Sequence, residues 1–134
     1  MTSGSTVTVS LADRSYEITI RAGLLEKLGR EMKRRGLKGK IGIVTDRHVA
    51  QHYLKKIVEL AKWAGLEPVS IILAPGERSK TLHTVERILN VLARHRFERS
   101  SHLLALGGGV VGDLAGFAAS IYQRGIPYIQ VPTT

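Results

Sequence analysis

Three consecutive glycines, Gly107-Gly108-Gly109, directly follow the apolar run of residues 102–106, and Gly112 and Asp113 come shortly after them. Glycines at the end of a buried strand let a ligand approach the backbone closely, and a helix that begins there points its amide groups at the same place. α/β proteins bind the diphosphate group of nucleotides in this way. The sequence therefore predicts a nucleotide-binding turn at residues 107–113.

The glycines at 107, 109 and 112 have the spacing G-x-G-x-x-G, between a predicted strand and a predicted helix. The motif departs from the usual dinucleotide fingerprint because it comes late in the chain. It also lacks the acidic residue expected about 20 positions on, a region that holds residues 130–132 (Gln-Val-Pro). A tight turn without a ligand is the alternative interpretation. Asp113 either complements the helix dipole or accepts hydrogen bonds from a ligand.

The helix after the motif carries a stripe of small residues. Gly112, Gly116 and Ser120 recur at every fourth position and so share one helix face. Each glycine inside a helix costs about 1 kcal/mol relative to alanine. We therefore expect another backbone or a ligand against this face.

Further polar residues follow the first two strands of the predicted sheet. Asp46 comes at the end of the first, where it can bind ribose hydroxyls, cap the next helix, or do both. After the second strand, Pro75-Gly76 predicts a turn. Glu77 and Lys80 then stand three apart at a helix entrance, where they can pair with each other or flank a polar ligand.

Arg124 follows the glycine-rich helix, where its guanidinium can bind a phosphate or cap the helix before Gly125. His48 and His52 are one helical turn apart, the only such spacing among the five histidines. No acidic ligand accompanies this pair. We therefore predict no metal site within this chain.

The apolar periodicity predicts an α/β fold, a Rossmann-like doubly wound parallel sheet with an additional N-terminal β-hairpin. The predicted hairpin strands are 6–11 and 16–20, and the sheet strands are 41–44, 68–73, 103–106 and 128–131. Helices are predicted around 24–32, 49–64, 82–92 and 110–122. Residues 1–6 are expected to be a flexible tail and 7–134 one domain. Because the chain ends at the lip of the predicted site, we expect a fragment of a larger protein.

The composition is that of a globular domain, with 43% hydrophobic and 23% charged residues in 134. The net charge of +9 indicates a solvated basic surface, an anionic small ligand or nucleic acid. Aromatic residues make up only 5%, which disfavours recognition of single strands by base stacking. The absence of cysteine excludes disulfides and thiolate chemistry. No signal peptide or membrane span is evident, so we expect a cytoplasmic location.

Taken in order, these motifs resemble the 3-dehydroquinate synthase family. The matching segments are 75–80 (PGERSK), 107–113 (GGGVVGD), 116–125 (GFAASIYQRG) and 131–134 (VPTT). The resemblance covers nearly the whole chain and is most specific over 104–134. It implies the N-terminal, NAD-binding part of the enzyme. In this family a second, mostly helical domain supplies the metal ligands and most catalytic side chains.

The resemblance also implies residue roles. Arg124 is implied to contribute to recognition of the substrate phosphate, either in its own subunit or in a neighbouring one, since these enzymes are usually homodimers. The residues implied to line the NAD site are Asp46, Pro75, Gly76, Glu77, Lys80, Gly108, Gly109, Val110, Val111, Gly112, Asp113, Thr133 and Thr134.

The implied reaction converts 3-deoxy-D-arabino-heptulosonate 7-phosphate to 3-dehydroquinate and phosphate in the shikimate pathway. NAD is regenerated in each turnover, and the divalent metal, zinc or cobalt, belongs to the whole enzyme. One alternative is another sugar-phosphate cyclase. A second is a glycerol- or iron-type alcohol dehydrogenase, whose glycine motif usually has serine where Val110 stands. A third is a basic nucleic-acid-binding module, which predicts strongly salt-dependent affinity for DNA or RNA.

Overall fold

The computed structural model describes residues 4–133, and in it strands alternate with helices after an N-terminal hairpin. The strands are β1 Ser5–Val9, β2 Tyr16–Ile20, β3 Lys40–Asp46, β4 Glu67–Leu73, β5 His102–Gly107 and β6 Tyr128–Pro132. The helices are α1 Leu28–Arg34, α2 Arg47–Val49, α3 Lys55–Trp63, α4 Leu82–Arg94 and α5 Gly109–Ile121. A π-helical segment, Ala50–Leu54, joins α2 to α3. The predicted α/β fold and its order of elements are confirmed.

Four parallel strands form the central sheet in the order β4-β3-β5-β6. The chain passes from β3 to β4 on one side, and then crosses back over β3 to reach β5 on the other side. The order therefore reverses between β3 and β5. In open α/β sheets, such a reversal opens a crevice at the carboxyl ends of the two strands, and ligands bind there.

Both faces of the sheet are covered, as the doubly wound prediction requires. Side chains of α1 and α3 pack with Ile41, Ile43, Leu104 and Leu106 on one face. Side chains of α4 and α5 cover the other face. Because neighbouring positions of a strand point to opposite faces, strands buried on both sides appear in the sequence as unbroken apolar runs.

The N-terminal hairpin pairs β1 with β2 in antiparallel register. Its strand begins at Ser5, so the predicted tail of residues 1–6 is wrong for Ser5 and Thr6. These two residues pair with Ile20 and Thr19, which extends β1 to the full length of β2. Residues 1–3 lie outside the described part of the chain. Within residues 4–133, no helix has the length and apolar character needed to cross a membrane.

Candidate functional site

The glycine motif forms the turn between β5 and α5. Gly108 is the residue before the first turn of α5, and no side chain caps that helix end. A Cβ on Gly107 would lie 3.1 Å from Cβ of the buried Val111, so the turn fits closely against its own helix. A Cβ on Gly109 would meet no atom within 4 Å. The turn is therefore tight on its inner side and open at Gly109.

The sheet divides immediately beside this turn. The ladder between β3 and β5 ends at the pair Thr45 and Leu106. The β3–β4 ladder continues for one more residue to Asp46, and the β5–β6 ladder continues to Gly107. Asp46 and Gly107 thus begin the opposite walls of the crevice, and so the predicted ribose-binding acid and the glycine turn lie on the two sides of the switch point.

Asp46 is half-buried and caps the helix that follows it. Its Oδ1 accepts a hydrogen bond from the Val49 N–H at 2.9 Å. The capping alternative for Asp46 is therefore confirmed. Because that bond uses only one carboxylate oxygen, Asp46 retains acceptor capacity for a ligand.

Lys80 pairs with the acid of the glycine motif. Its Nζ lies 2.7 Å from Oδ2 of Asp113, and both side chains are exposed. The hydrogen bond to Asp113 is the largest cause that raises the pKa of Lys80; the charge of Asp113 comes next, and that of Glu77 contributes as well. The predicted pairing of Lys80 with Glu77 is therefore wrong, because the ion pair of Lys80 is with Asp113. This contact joins the loop after β4 to the N-terminal half of α5.

The turn before Lys80 is fixed by backbone geometry and one side chain. Pro75 leads into Gly76, whose φ of +96° lies in the region that favours glycine. Ser79 Oγ donates a hydrogen bond of 2.6 Å to the Ala74 carbonyl. This turn places Glu77 in an exposed position at the start of a short 3-10 helix, near enough to Lys80 for its charge to help raise the pKa of that lysine.

The small-residue stripe of α5 does not face a ligand. A Cβ on Gly116 would lie 3.4 Å from the ring of Tyr128, and one on Gly112 would lie 2.9 Å from Nε2 of Gln130. The Tyr128 hydroxyl donates a hydrogen bond of 2.8 Å to the Gly112 carbonyl. The expectation of a ligand or backbone is wrong because side chains of the neighbouring strand β6 fill this space.

The remaining predicted residues divide into two groups. Val110 lies in the first turn of α5, and Thr133 N–H donates to the Gly107 carbonyl at 3.2 Å, beside the turn. Thr134 lies outside the described residues. Arg124 is exposed and follows the far end of α5, which at 1.5 Å per residue is about 20 Å from the glycine turn. The cofactor candidates are thus grouped, and Arg124 is separate from them.

Sequence reasoning missed two residues of this region. Thr45 is fully buried, and its Oγ1 donates a hydrogen bond of 2.7 Å to the Leu106 carbonyl. Tyr128 holds the first turn of α5. A polar residue inside the apolar run of β3 was the available signal for Thr45. In residues 4–133, no three potential metal ligands come together.

Comparison with known proteins identifies relatives of this arrangement. A sequence-family model described as "3-dehydroquinate synthase N-terminal" matches residues 70–134. The 3-dehydroquinate synthase of Brucella ovis is 46% identical over 130 residues, which cover 96% of this chain and 34% of the relative. The chain thus spans about a third of the length of the curated relatives that it matches.

Solved structures of related enzymes have the same fold as this chain. A crystal structure of 2-deoxy-scyllo-inosose synthase superposes with a TM-score of 0.86 at 27% identity, covering 97% of this chain and 36% of that chain. A second structure of that enzyme, complexed with carbaglucose-6-phosphate, NAD+ and Co2+, has a TM-score of 0.84 at 27% identity, covering 96% and 35%. A butanol dehydrogenase from Thermotoga maritima shares the fold, with a TM-score of 0.68 at 21% identity, covering 84% and 31%.

Proposed function

Because this chain belongs to the 3-dehydroquinate synthase family and matches the N-terminal part of its members, we propose that it is the NAD-binding domain of a 3-dehydroquinate synthase. The observation that carries the proposal is the open space at Gly109. A Cβ at Gly107 or Gly112 would crowd a neighbouring side chain, whereas a Cβ at Gly109 would meet nothing within 4 Å. Since the φ of Gly109 is not in the left-handed region either, the fold itself gives no reason for a glycine there. A ligand that approaches this backbone closely does give a reason for glycine at this position.

In this proposal, different residues of the crevice bind different parts of the cofactor. The uncapped first turn of α5 supplies amide groups and the positive end of the helix dipole to the diphosphate. Asp46 accepts hydrogen bonds from ribose hydroxyls with the oxygen that its capping bond leaves available. Lys80 and Asp113 hold the loop after β4 against α5, and each can turn a polar atom toward the ligand.

We propose that the whole enzyme converts 3-deoxy-D-arabino-heptulosonate 7-phosphate to 3-dehydroquinate and phosphate. Bound NAD supplies the transient oxidation of a ring hydroxyl, which acidifies the neighbouring C–H. Because the resemblance assigns the metal ligands to a second domain, we expect this chain alone to be inactive. The described residues bring together no set of three metal ligands. We further propose a cytoplasmic homodimer that acts on small molecules rather than on nucleic acid or membranes.

The second candidate is another sugar-phosphate cyclase with the same cofactor site. The superposition on 2-deoxy-scyllo-inosose synthase, with a TM-score of 0.86, favours this alternative. Both candidates give the described residues the same task, which is to bind NAD. They differ in the sugar phosphate, whose contacts the resemblance places mostly in the second domain.

The test is a titration of this chain with NAD, followed by NMR of the backbone amides. We expect the amides of residues 107–113 to shift in the wild-type chain. Gly109→Val should abolish the shifts while leaving the melting temperature unchanged, because its side chain enters open space in the fold and the proposed path of the ligand. Gly116→Ala is the matched control on the same helix. Its Cβ makes only a contact of ordinary length with Tyr128, so NAD binding should be retained. Equal binding by Gly109→Val would contradict the proposed site.

A further inference from the structure

Thr45 is a polar residue in the most buried part of the fold. It follows Ile43 and Val44 in β3 and, like them, is 0% exposed. Its Oγ1 donates a hydrogen bond of 2.7 Å to the carbonyl of Leu106 in β5. A buried hydroxyl is costly unless it is hydrogen-bonded, so this contact accounts for how Thr45 is tolerated. It does not account for why the position is threonine rather than valine, which has the same shape and no such cost.

The position of the bond gives a reason. Thr45 and Leu106 are the last pair of the β3–β5 ladder, whereas the two outer ladders each continue for one residue more. The hydroxyl therefore adds a bond between the two strands at the point where they begin to separate. The next residue on one side is Asp46 and the next on the other is Gly107. The separation between these two walls is set where the strands are last held together.

We propose that Thr45 is a positioning residue, whose hydroxyl fixes the separation between Asp46 and the glycine turn and thereby the affinity for a ligand that spans both. The proposal rests on the proposed NAD site. Thr45 itself does not touch the ligand. A ligand that contacts only one wall should depend little on this bond, whereas one that contacts both walls should depend on it strongly.

Thr45→Val removes the hydroxyl and keeps the shape of the side chain. We expect about tenfold weaker binding of NAD, which corresponds to about 1.4 kcal/mol and lies at the upper end of what one hydrogen bond contributes. Inorganic pyrophosphate, which fits the glycine turn alone, should bind with affinity changed by less than about twofold, since its contacts lie on one wall. Both dissociation constants are read from the amide shifts of residues 107–113, at a temperature where the variant is fully folded.

Three further variants complete the test. Thr45→Ser retains the hydroxyl and should keep wild-type affinity for NAD. Thr45→Cys, which packs like a small apolar residue and donates only weakly, replaces Thr45→Val if the latter does not fold. Ser101→Ala is the matched control. Ser101 is 5% exposed, and its Oγ accepts a hydrogen bond from Glu98 N–H at the opposite end of the sheet. Its loss should lower stability without changing the affinity for NAD.

The outcomes separate the two proposals. If the wild-type chain binds NAD and Thr45→Val or Thr45→Cys binds it equally well, the role of Thr45 is refuted and the NAD site stands. An equal weakening of NAD and pyrophosphate, or a tenfold loss in Thr45→Ser, also refutes the positioning role. If the wild-type chain does not bind NAD at all, both the site and the role of Thr45 are wrong.

Discussion

Tyr128→Phe tests how α5 is held in place. The change removes one hydroxyl, which donates a hydrogen bond of 2.8 Å to the Gly112 carbonyl, and keeps the ring that packs against Gly116. A net hydrogen bond contributes about 0.5–1.5 kcal/mol. Tyr128 is 37% exposed, so water competes for the bond and the lower part of that range applies. For a chain of this length, a loss of roughly 0.5–1 kcal/mol lowers the melting temperature by about 2–4 °C.

The pH dependence makes this prediction more specific. Burial, the largest cause, and then the negative charge of Asp113 raise the pKa of Tyr128 above its ordinary value of 10.0. A pKa raised in the folded state means that the contribution is fully present below the unfolded pKa and is lost as the pH rises through the folded pKa. The stability advantage of wild type over Tyr128→Phe should therefore be constant near neutral pH and should shrink above about pH 10.

The assay is thermal unfolding followed by circular dichroism from neutral to strongly alkaline pH. Tyr53→Phe is the matched control, because Tyr53 is also 37% exposed and its hydroxyl makes no hydrogen bond within residues 4–133. It should leave the melting temperature unchanged. The reasoning is refuted if Tyr128→Phe is as stable as wild type at neutral pH, or if the difference between them does not change in alkali.

Three further outcomes follow from the packing. Gly107→Ala should lower the free energy of unfolding by about 1–3 kcal/mol in urea titration, because its Cβ would crowd Val111, and a fully stable variant would contradict the close fit. Leu104→Ala should cost about 2–5 kcal/mol in the same assay, since Leu104 is 0% exposed; a loss below this range would mean that the site collapses around the cavity. Burial lowers the pKa of His102 below its ordinary 6.5, so its contribution to stability is present above that pH and is lost as the pH falls through the folded pKa. His102→Gln should therefore lose less stability on acidification than wild type, and parallel pH curves would refute this.

The elements of the fold could be predicted because local sequence determines them. Runs such as residues 41–44 and 103–106 are apolar on both faces. This pattern is typical of strands that helices cover on both sides. Gly36 and Gly65, which follow the predicted helices, adopt φ of +70° and +89° and do end them. The π-helical segment Ala50–Leu54 could not be predicted, because no residue type in it signals a wider helical turn.

The contacts within the candidate site could be predicted only in part, because they join residues far apart in the chain. Asp46 capping was predicted because a cap lies within three residues of its target. The pairing of Lys80 with Asp113 depends on how β4 and β5 are placed around β3, which periodicity does not encode. The prediction of a ligand or a backbone against the glycine stripe was wrong for the same reason. Tyr128 alternates with half-buried positions in β6, and this alternation predicts a solvent-facing side chain, although its ring packs against Gly116 of α5.

The strand order also explains why the glycine motif lacks a downstream acid. In the usual fingerprint, the motif follows one strand and the acid follows the next strand along the chain, which lies beside it in the sheet. Here the motif follows β5, and the next strand, β6, ends in Pro132 with no acid. The neighbour of β5 on its other side is β3, which ends in Asp46. Asp46 therefore precedes the motif along the chain, yet it begins the opposite wall of the same crevice. Under the proposed NAD site, the order along the chain differs from the usual fingerprint, while the proposed ribose-binding acid, Asp46, still ends the strand next to the glycine motif.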